Sequence, residues 1–498
     1  MAVTIIQHPL YKMLAADEEI IFVVREHAIV TTKVKVKFIA EVFVTKLGNA
    51  TSLLTADKVA TLKATPNNTG VGIFDFSRIL EAYVSPEHLG GETVFSSGTQ
   101  YYTQYNGFDY SDTRPHSIHQ IDEFSTSRNG ARNFAISFSI EYADAIDEPL
   151  TTVVGATSDG YYIHNAVRQE DDKFGVETQS GNFGFNYDHH DFVLRNDTAK
   201  FLTNAPTIQY IGTADFHTLA FFQESGSVLG AGTLYGNVVA TSSVIHSPKY
   251  IKFLFWNGGS SGAGITLSNN TSSGGNYWNG TEALNKIEYV GVGTANIVGA
   301  GGSIPANWDY YTVIAYDDNV GDPRPISDTY YFYNQEVCKG FEKFRLTWLN
   351  RLGVWDYFNF TKKNVRKVNS KRETYQQIKG SWNEAIYKKH GYKGGTKTFS
   401  TNSKEVVTLQ TDFISEEAAQ WLEELFTSSD VFVLQERSTD VGVSTSSTST
   451  VYLDIMNKYV QPCIVTTSSY TRKTTANDKL KQYTIEIEMS HNKKTQRA

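Results

Sequence analysis

Strict alternation of apolar and polar residues constrains this chain most. In "VKVKFIAEVFV", Val34, Val36, Phe38, Ala40, Val42 and Val44 fall on one face of an extended segment, with Lys35, Lys37 and Glu41 on the other. "NFAISFSIEYAD" repeats the pattern, aligning Phe134, Ile136, Phe138, Ile140 and Tyr142. A period of two belongs to a strand with one dry face and one wet face. Composition points the same way: 29 Tyr and 29 Phe stand against 4 Met, and aromatic side chains suit a pleated, half-buried surface.

A chain of 498 residues is too long for one core, which implies about three domains. In the first, "GIFDFSRILEAYV" breaks the alternation and predicts a short helix capped by Ser77, with Ile79, Leu80 and Tyr83 turned inward. A β-sandwich over residues 1–206 follows, closed at Pro206 after a stretch punctuated by Gly, Asn and Asp. From "IQYIG" to "DTYYFYNQEV", about seven short apolar runs separated by turn residues predict a second sandwich over 207–340. Within it, "NGGSSGAGITLSNNTSSGGNYWNG" and "GVGTANIVGAGGS" read as polar, glycine-rich surface loops.

Residues 341–498 open with "RLTWLNRLGVWDYFNF", two strand-like arms joined by Asn350-Arg351-Leu352-Gly353, where the glycine supplies a positive φ. Alternation sets Leu346 and Trp348 on one face, and Trp355 and Tyr357 on one face of the partner arm. Core packing and a sugar platform built on an exposed Trp both fit. "SEEAAQWLEELF" predicts a helix: Ser415 caps it, Glu416 and Glu417 oppose its dipole, and Ala418, Trp421, Leu422 and Leu425 form a stripe. Neighbouring "EVVTLQ", "VFVLQ", "VYLDI" and "QYTIEIEM" predict the sheet beneath it, and "RSTDVGVSTSSTST" a flexible loop. The expected architecture is mainly β, with tandem β-sandwich domains followed by a smaller α+β C-terminal domain.

Charge is distributed unevenly. Residues 361–395 hold ten Lys or Arg against Glu373 and Glu384, a segment charge of +8 within a chain of net −8, which leaves −16 for the remainder. Such separation predicts a basic arm or extended hairpin lying on an acidic surface, the nearest being that of a sister subunit. Lys362, Lys363, Arg366, Lys367, Lys371, Arg372, Lys388 and Lys389 are the candidate assembly residues. A solvated basic face without a partner is the plainer alternative. Nucleic acid is disfavoured by the acidic balance and by the few aromatics interleaved with these cations.

Chemistry is sparse. "DHHD" at 188–191 offers imidazole beside carboxylate, but adjacent strand residues point to opposite faces, so His189 and His190 do not readily share an ion. His116 and His119 of "RPHSIHQI" also face apart when extended. Cys338 and Cys463 allow at most one disulfide. There is no nucleophile elbow, zincin helix or phosphate loop, although a β-rich glycosidase would need just two placed carboxylates. No catalytic residue, metal or cofactor is therefore expected, and neither is a membrane span. Trp278, in the glycine-rich loop, is the candidate glycan contact.

Read together, "RLTWLNRLGVWDYFNF", "KRETYQQIKGSW", "TLQTDFISEEAAQWLEELFTSSDVFVL" and "SYTRKTTANDKLKQYTIEIEMS" resemble the closing module of virion structural proteins from tailed bacteriophages of the crAss-like and related marine kinds. "KFLTNAP" with "FHTLAFF" is similar to the middle of those proteins, and "VKVKFIAEVFV" with "GIFDFSRIL" to their opening. The matching positions include Trp348, Asn350, Gly353, Trp355, Asp356 and Phe358, then Thr408, Thr411, Asp412, Trp421, Leu422 and Phe426, and finally Asn477, Asp478, Leu480, Gln482 and Tyr483. Val354 stands where the family favours a second glycine. The resemblance implies a non-enzymatic tail subunit in the virion, a ring, hub or fibre-attachment component. It would form a homo-oligomeric ring and contact other phage tail proteins. The alternative is a receptor- or glycan-binding tail protein that touches the host surface.

Overall fold

The computed structural model describes residues 3–10, 13–44, 57–86, 124–126, 130–169, 174–176, 183–185, 192, 194, 197–223, 250–268, 286–299, 302–316, 323–335, 341–434, 460–467 and 481–493. The chain is mainly β, in several sheets. It divides into two compact units. The first holds the described residues of Met1–Gln335 with Leu349–Asp356, and the second those of Glu336–Trp348, Tyr357–Gly442 and Thr450–Ala498.

Within the first unit, the alternating segments form long neighbouring strands. Val34–Val44 pairs antiparallel with Ala131–Ala143, matching Ala40 to Phe138 and Val42 to Ile136. This six-stranded sheet and a three-stranded sheet of Thr4–Gln7, Ile21–Arg25 and Val71–Asp75 contribute to one apolar core. Phe22, Phe38, Phe134 and Phe138 are fully buried there, an arrangement of the sandwich type.

A second core within the same unit runs from Leu194 to Phe332. It gathers a five-stranded sheet around Tyr250–Asn257 and Tyr310–Tyr316, and a three-stranded sheet around Lys286–Gly291. The expected boundary at 206 thus falls after Leu194, Ala199 and Phe201, which already pack in this second core.

Four local expectations are corrected. Ser77 is the first residue of its helix rather than the cap; Asp75 Oδ1 accepts from Ser77 N at 3.0 Å instead. Tyr83 lies on the exposed side, because the chain tightens into a 3₁₀ turn over Glu81–Tyr83. Part of the expected 257–280 loop is a strand, Ser260–Ser268, zipped against Tyr250–Asn257 through a turn in which Gly258 and Gly259 have φ of 55° and 83°. "GVGTANIVG" is not a surface loop: Thr294–Gly299 is helical, and Thr294, Asn296 and Ile297 are fully buried. Its polar groups are satisfied internally, since Asn296 Oδ1 accepts from His217 N at 2.9 Å and Thr294 Oγ1 donates to Gly212 O at 2.8 Å.

The second unit is built on a seven-stranded sheet. Its strand order is Trp355–Phe360, Phe344–Leu349, Val431–Leu434, Val460–Val465, Thr484–Met489, Gly395–Gln410 and Val365–Gln377. The helix Glu416–Thr427 begins where expected, with Ser415 Oγ accepting from Ala418 N at 3.2 Å. Ala419 rather than Ala418 joins Trp421, Leu422 and Leu425 in the buried stripe. Of the two readings of the opening hairpin, core packing is the one the structure gives, and the exposed Trp platform is not formed. Leu346, Trp348, Trp355 and Tyr357 are all buried, and so are Arg345, Thr347 and Asp356, which alternate with them. Both faces of these strands are covered, so alternation there sets direction without setting exposure.

The hairpin turn itself follows its sequence. Gly353 has φ of 82°, Gly353 N donates to Asn350 O at 3.0 Å, and Asn350 Oδ1 accepts from Leu352 N and Val354 N at 3.0 and 3.1 Å. A Cβ on Gly353 would lie 1.7 Å from Asn165 O. Glycine is therefore required both for the backbone angle and for the close approach.

Candidate functional site

The basic segment forms a long antiparallel ribbon at the end of the seven-stranded sheet. Val365–Gln377 pairs with Gly395–Gln410 from Val365–Thr408 outward to Gln377–Gly395, and among the described residues it has no strand on its other side. Thirteen residues of strand span about 40 Å. The inner part rests on buried Val406, Val407 and Leu409. Beyond Ser370 and Ser403, whose hydroxyls meet at 2.6 Å, the basic strand is exposed on both faces through to Gln376, and its partner strand is exposed or half-buried.

Its cations fall into two groups. Those at the base have partners within the chain. Arg366 Nη1 donates to Glu405 at 3.1 Å and Nε to Glu342 at 3.2 Å, while Nη2 also bonds Glu342. The Arg366 guanidinium also lies 4.9 Å from the centre of the Phe344 ring. Lys493 pairs with Glu405 at 2.6 Å, and Lys362 with Asp412 at 2.7 Å. Burial pushes the Glu405 carboxyl up, but hydrogen bonds from Lys493 and Arg366 outweigh it and hold the group below its ordinary value. The hydrogen bond from Lys362 likewise lowers Asp412. This network borders a cavity of about 730 Å³ whose walls include Phe341, Phe344, Val433 and Met489.

The second group faces water. Lys367, Lys371 and Arg372 are exposed along the shaft, Lys363 precedes it, and Lys388 and Lys389 stand at the tip. Lys388 meets Glu384 at 3.2 Å, and an exposed pair of this kind contributes little. Lys367 and Lys371 share one face and Arg366 and Arg372 the other, so the shaft has no dry side.

Charge alone does not reveal the tip. Over residues 378–394 the chain exposes Ile378, Trp382, Ile386, Tyr387 and Tyr392 among its lysines. The signal was available in "SWNEAIY", which carries large apolar residues with no alternation that could bury them. Trp278, "DHHD", His116, His119 and Cys338 lie outside the described residues. Among the described residues, no three His, Cys, Asp or Glu side chains gather as a metal site, and no helix is long and apolar enough to cross a membrane.

No protein-family model matches the chain, and no curated protein does. Among solved structures it is similar to a Salmonella alpha-2-macroglobulin mutant at 9% identity and a TM-score of 0.17, over 82% of this chain and 21% of that one. The chain thus spans about a fifth of that protein's length, and a likeness this low carries no argument about fold or function.

Proposed function

We propose that this chain is a non-enzymatic structural subunit of a bacteriophage tail, a ring, hub or fibre-attachment component that self-assembles and contacts other virion proteins. The observation that carries the assembly reading is the basic ribbon with two wet faces and an apolar tip. A two-stranded ribbon is marginal alone in water, and exposed aromatics flanked by charge are what a partner surface covers. Complementary charge is at hand, because the remainder of the chain is acidic. The virion setting rests on the sequence resemblance of the hairpin, the Ser415 helix and the closing strands.

The test is the mass of the purified chain, with negative-stain images, across a series of salt concentrations. An oligomer that loosens as salt screens its contacts is expected. A strict monomer at every salt concentration and inside its particle overturns the reading. Receptor or glycan contact is the second reading, favoured by the exposed Trp382 and Tyr392. Its test is a glycan array, on which a signal lost with Trp382→Ala would put it first.

A further inference from the structure

Building on the assembly reading, we propose that the ribbon tip of one copy docks on the loop over residues 143–150 of a second copy, so that subunits join head to tail. The tip is a preorganised apolar knob. Trp382, Ile386 and Tyr392 are 73%, 72% and 74% exposed, values unusual for side chains of this size. They are nevertheless held in place. Ser381 N donates to Lys388 O at 3.1 Å, and Lys388 N donates to Ser381 Oγ at 3.2 Å. The Trp382 ring meets Tyr387 edge-on with 5.5 Å between centroids. Gly380 lies directly under Tyr387, where a Cβ would come within 2.4 Å of the ring. A knob ordered before contact loses little entropy on binding, and Trp and Tyr are the residues that anchor interfaces. Lys379, Lys388, Lys389 and Lys393 surround it against Glu384, for a local charge of +3.

The complementary surface lies in the first unit. Between the strands Ala131–Ala143 and Thr151–Thr157, the chain turns through exposed Asp144, Ile146, Asp147, Glu148 and Leu150. Ile146 is 70% exposed, and Val154 on the following strand 75%. Lys33 pairs with Asp144, which leaves Asp147 and Glu148 to set the sign. One surface is thus basic and aromatic, the other acidic and aliphatic. Each copy carries one of each, and the two differ, so the contact is heterologous: it closes into a ring or continues as a filament. A like-to-like contact between two tips would set lysine against lysine.

The experiment uses the full chain and two charge-reversed variants, Lys379→Glu with Lys389→Glu, and Asp147→Lys with Glu148→Lys, with mass measured at low salt. Each variant alone is expected to associate at least about tenfold more weakly than the unaltered chain. An equimolar mixture is expected to regain assembly, because every reversed surface then meets its complement. Restoration on mixing also excludes misfolding as the cause of the loss. Trp382→Ala is expected to weaken association about thirtyfold with an unchanged circular dichroism spectrum. If the reversed variants assemble like the unaltered chain, this interface is wrong and the assembly reading stands; if the unaltered chain is monomeric throughout, both fall. A tip variant that keeps assembly but loses binding to phosphatidylglycerol vesicles also overturns the proposal, and makes the tip a reader of anionic surfaces.

Discussion

The rings of Trp348 and Trp421 lie 5.1 Å apart between centroids at a tilt of 43°. This contact seats the helix Glu416–Thr427 against the strand Phe344–Leu349, and Phe358 adds a ring at 6.0 Å from Trp421. Aromatic pairs of this geometry add to the burial that holds a helix on a sheet.

Removing that contact leaves a cavity the sheet cannot close. Trp421→Ala is expected to cost about 3 to 5 kcal/mol, read as a shift in the denaturant midpoint at unchanged slope.

At the hairpin turn, Gly353→Ala combines two costs. The positive φ of 82° alone costs about 1 kcal/mol for alanine. The overlap with Asn165 O adds to it by forcing the backbone apart. Thermal unfolding is expected to show a loss larger than the angle alone accounts for, with Gly353→Asn no better because its Cβ meets the same oxygen.

The base of the ribbon predicts an acid-sensitive step. Because Glu405 titrates lower in the folded chain than its ordinary 4.5, its contribution is present above that value and is lost as pH falls through the lower folded value. Replacing both Arg366 and Lys493 by Ala is expected to flatten this acid limb. The cost at neutral pH is about 1 to 3 kcal/mol, mostly from leaving the buried Glu405 carboxylate without partners.

Glu18 behaves in the opposite sense. Burial raises its carboxyl to about 8, against smaller opposing effects of the Ala15 backbone hydrogen bond and Arg168. The folded chain therefore keeps a proton that the unfolded chain releases, and stability falls as pH rises from 4.5 to about 8. Glu18→Gln keeps an acceptor for Ala15 N, which lies 3.2 Å from a carboxyl oxygen of Glu18. Its advantage over the unaltered chain is expected to grow by about 1.4 kcal/mol per pH unit across that window and then level off. Melting curves from pH 5 to 9 check this; a difference independent of pH would rule it out.

Covalent neighbours were enough for much of the local structure. The period-two runs around Phe38 and Phe138 form paired strands, Ser415 caps its helix, and Gly353 turns its hairpin, since strand faces, caps and turn angles depend on residues within a few positions of one another. The +8 segment also announced an extended basic ribbon, because so many like charges cannot share a core.

Tertiary structure decided the rest. It buried the polar "GVGTANIVG" by supplying Asn296 and Thr294 with backbone partners from elsewhere in the chain. It also covered both faces of the Trp348 hairpin strands. Arg366 meets Glu342 and Glu405 across separations of 24 and 39 residues, so which cations are occupied and which face water depends on strand register. The apolar tip at Trp382 stays exposed for the same reason: the ribbon carries it beyond the edge of the core, where among the described residues no strand of its own sheet covers it. Pattern determines which side of an element is apolar, whereas long-range packing determines whether anything lies against that side.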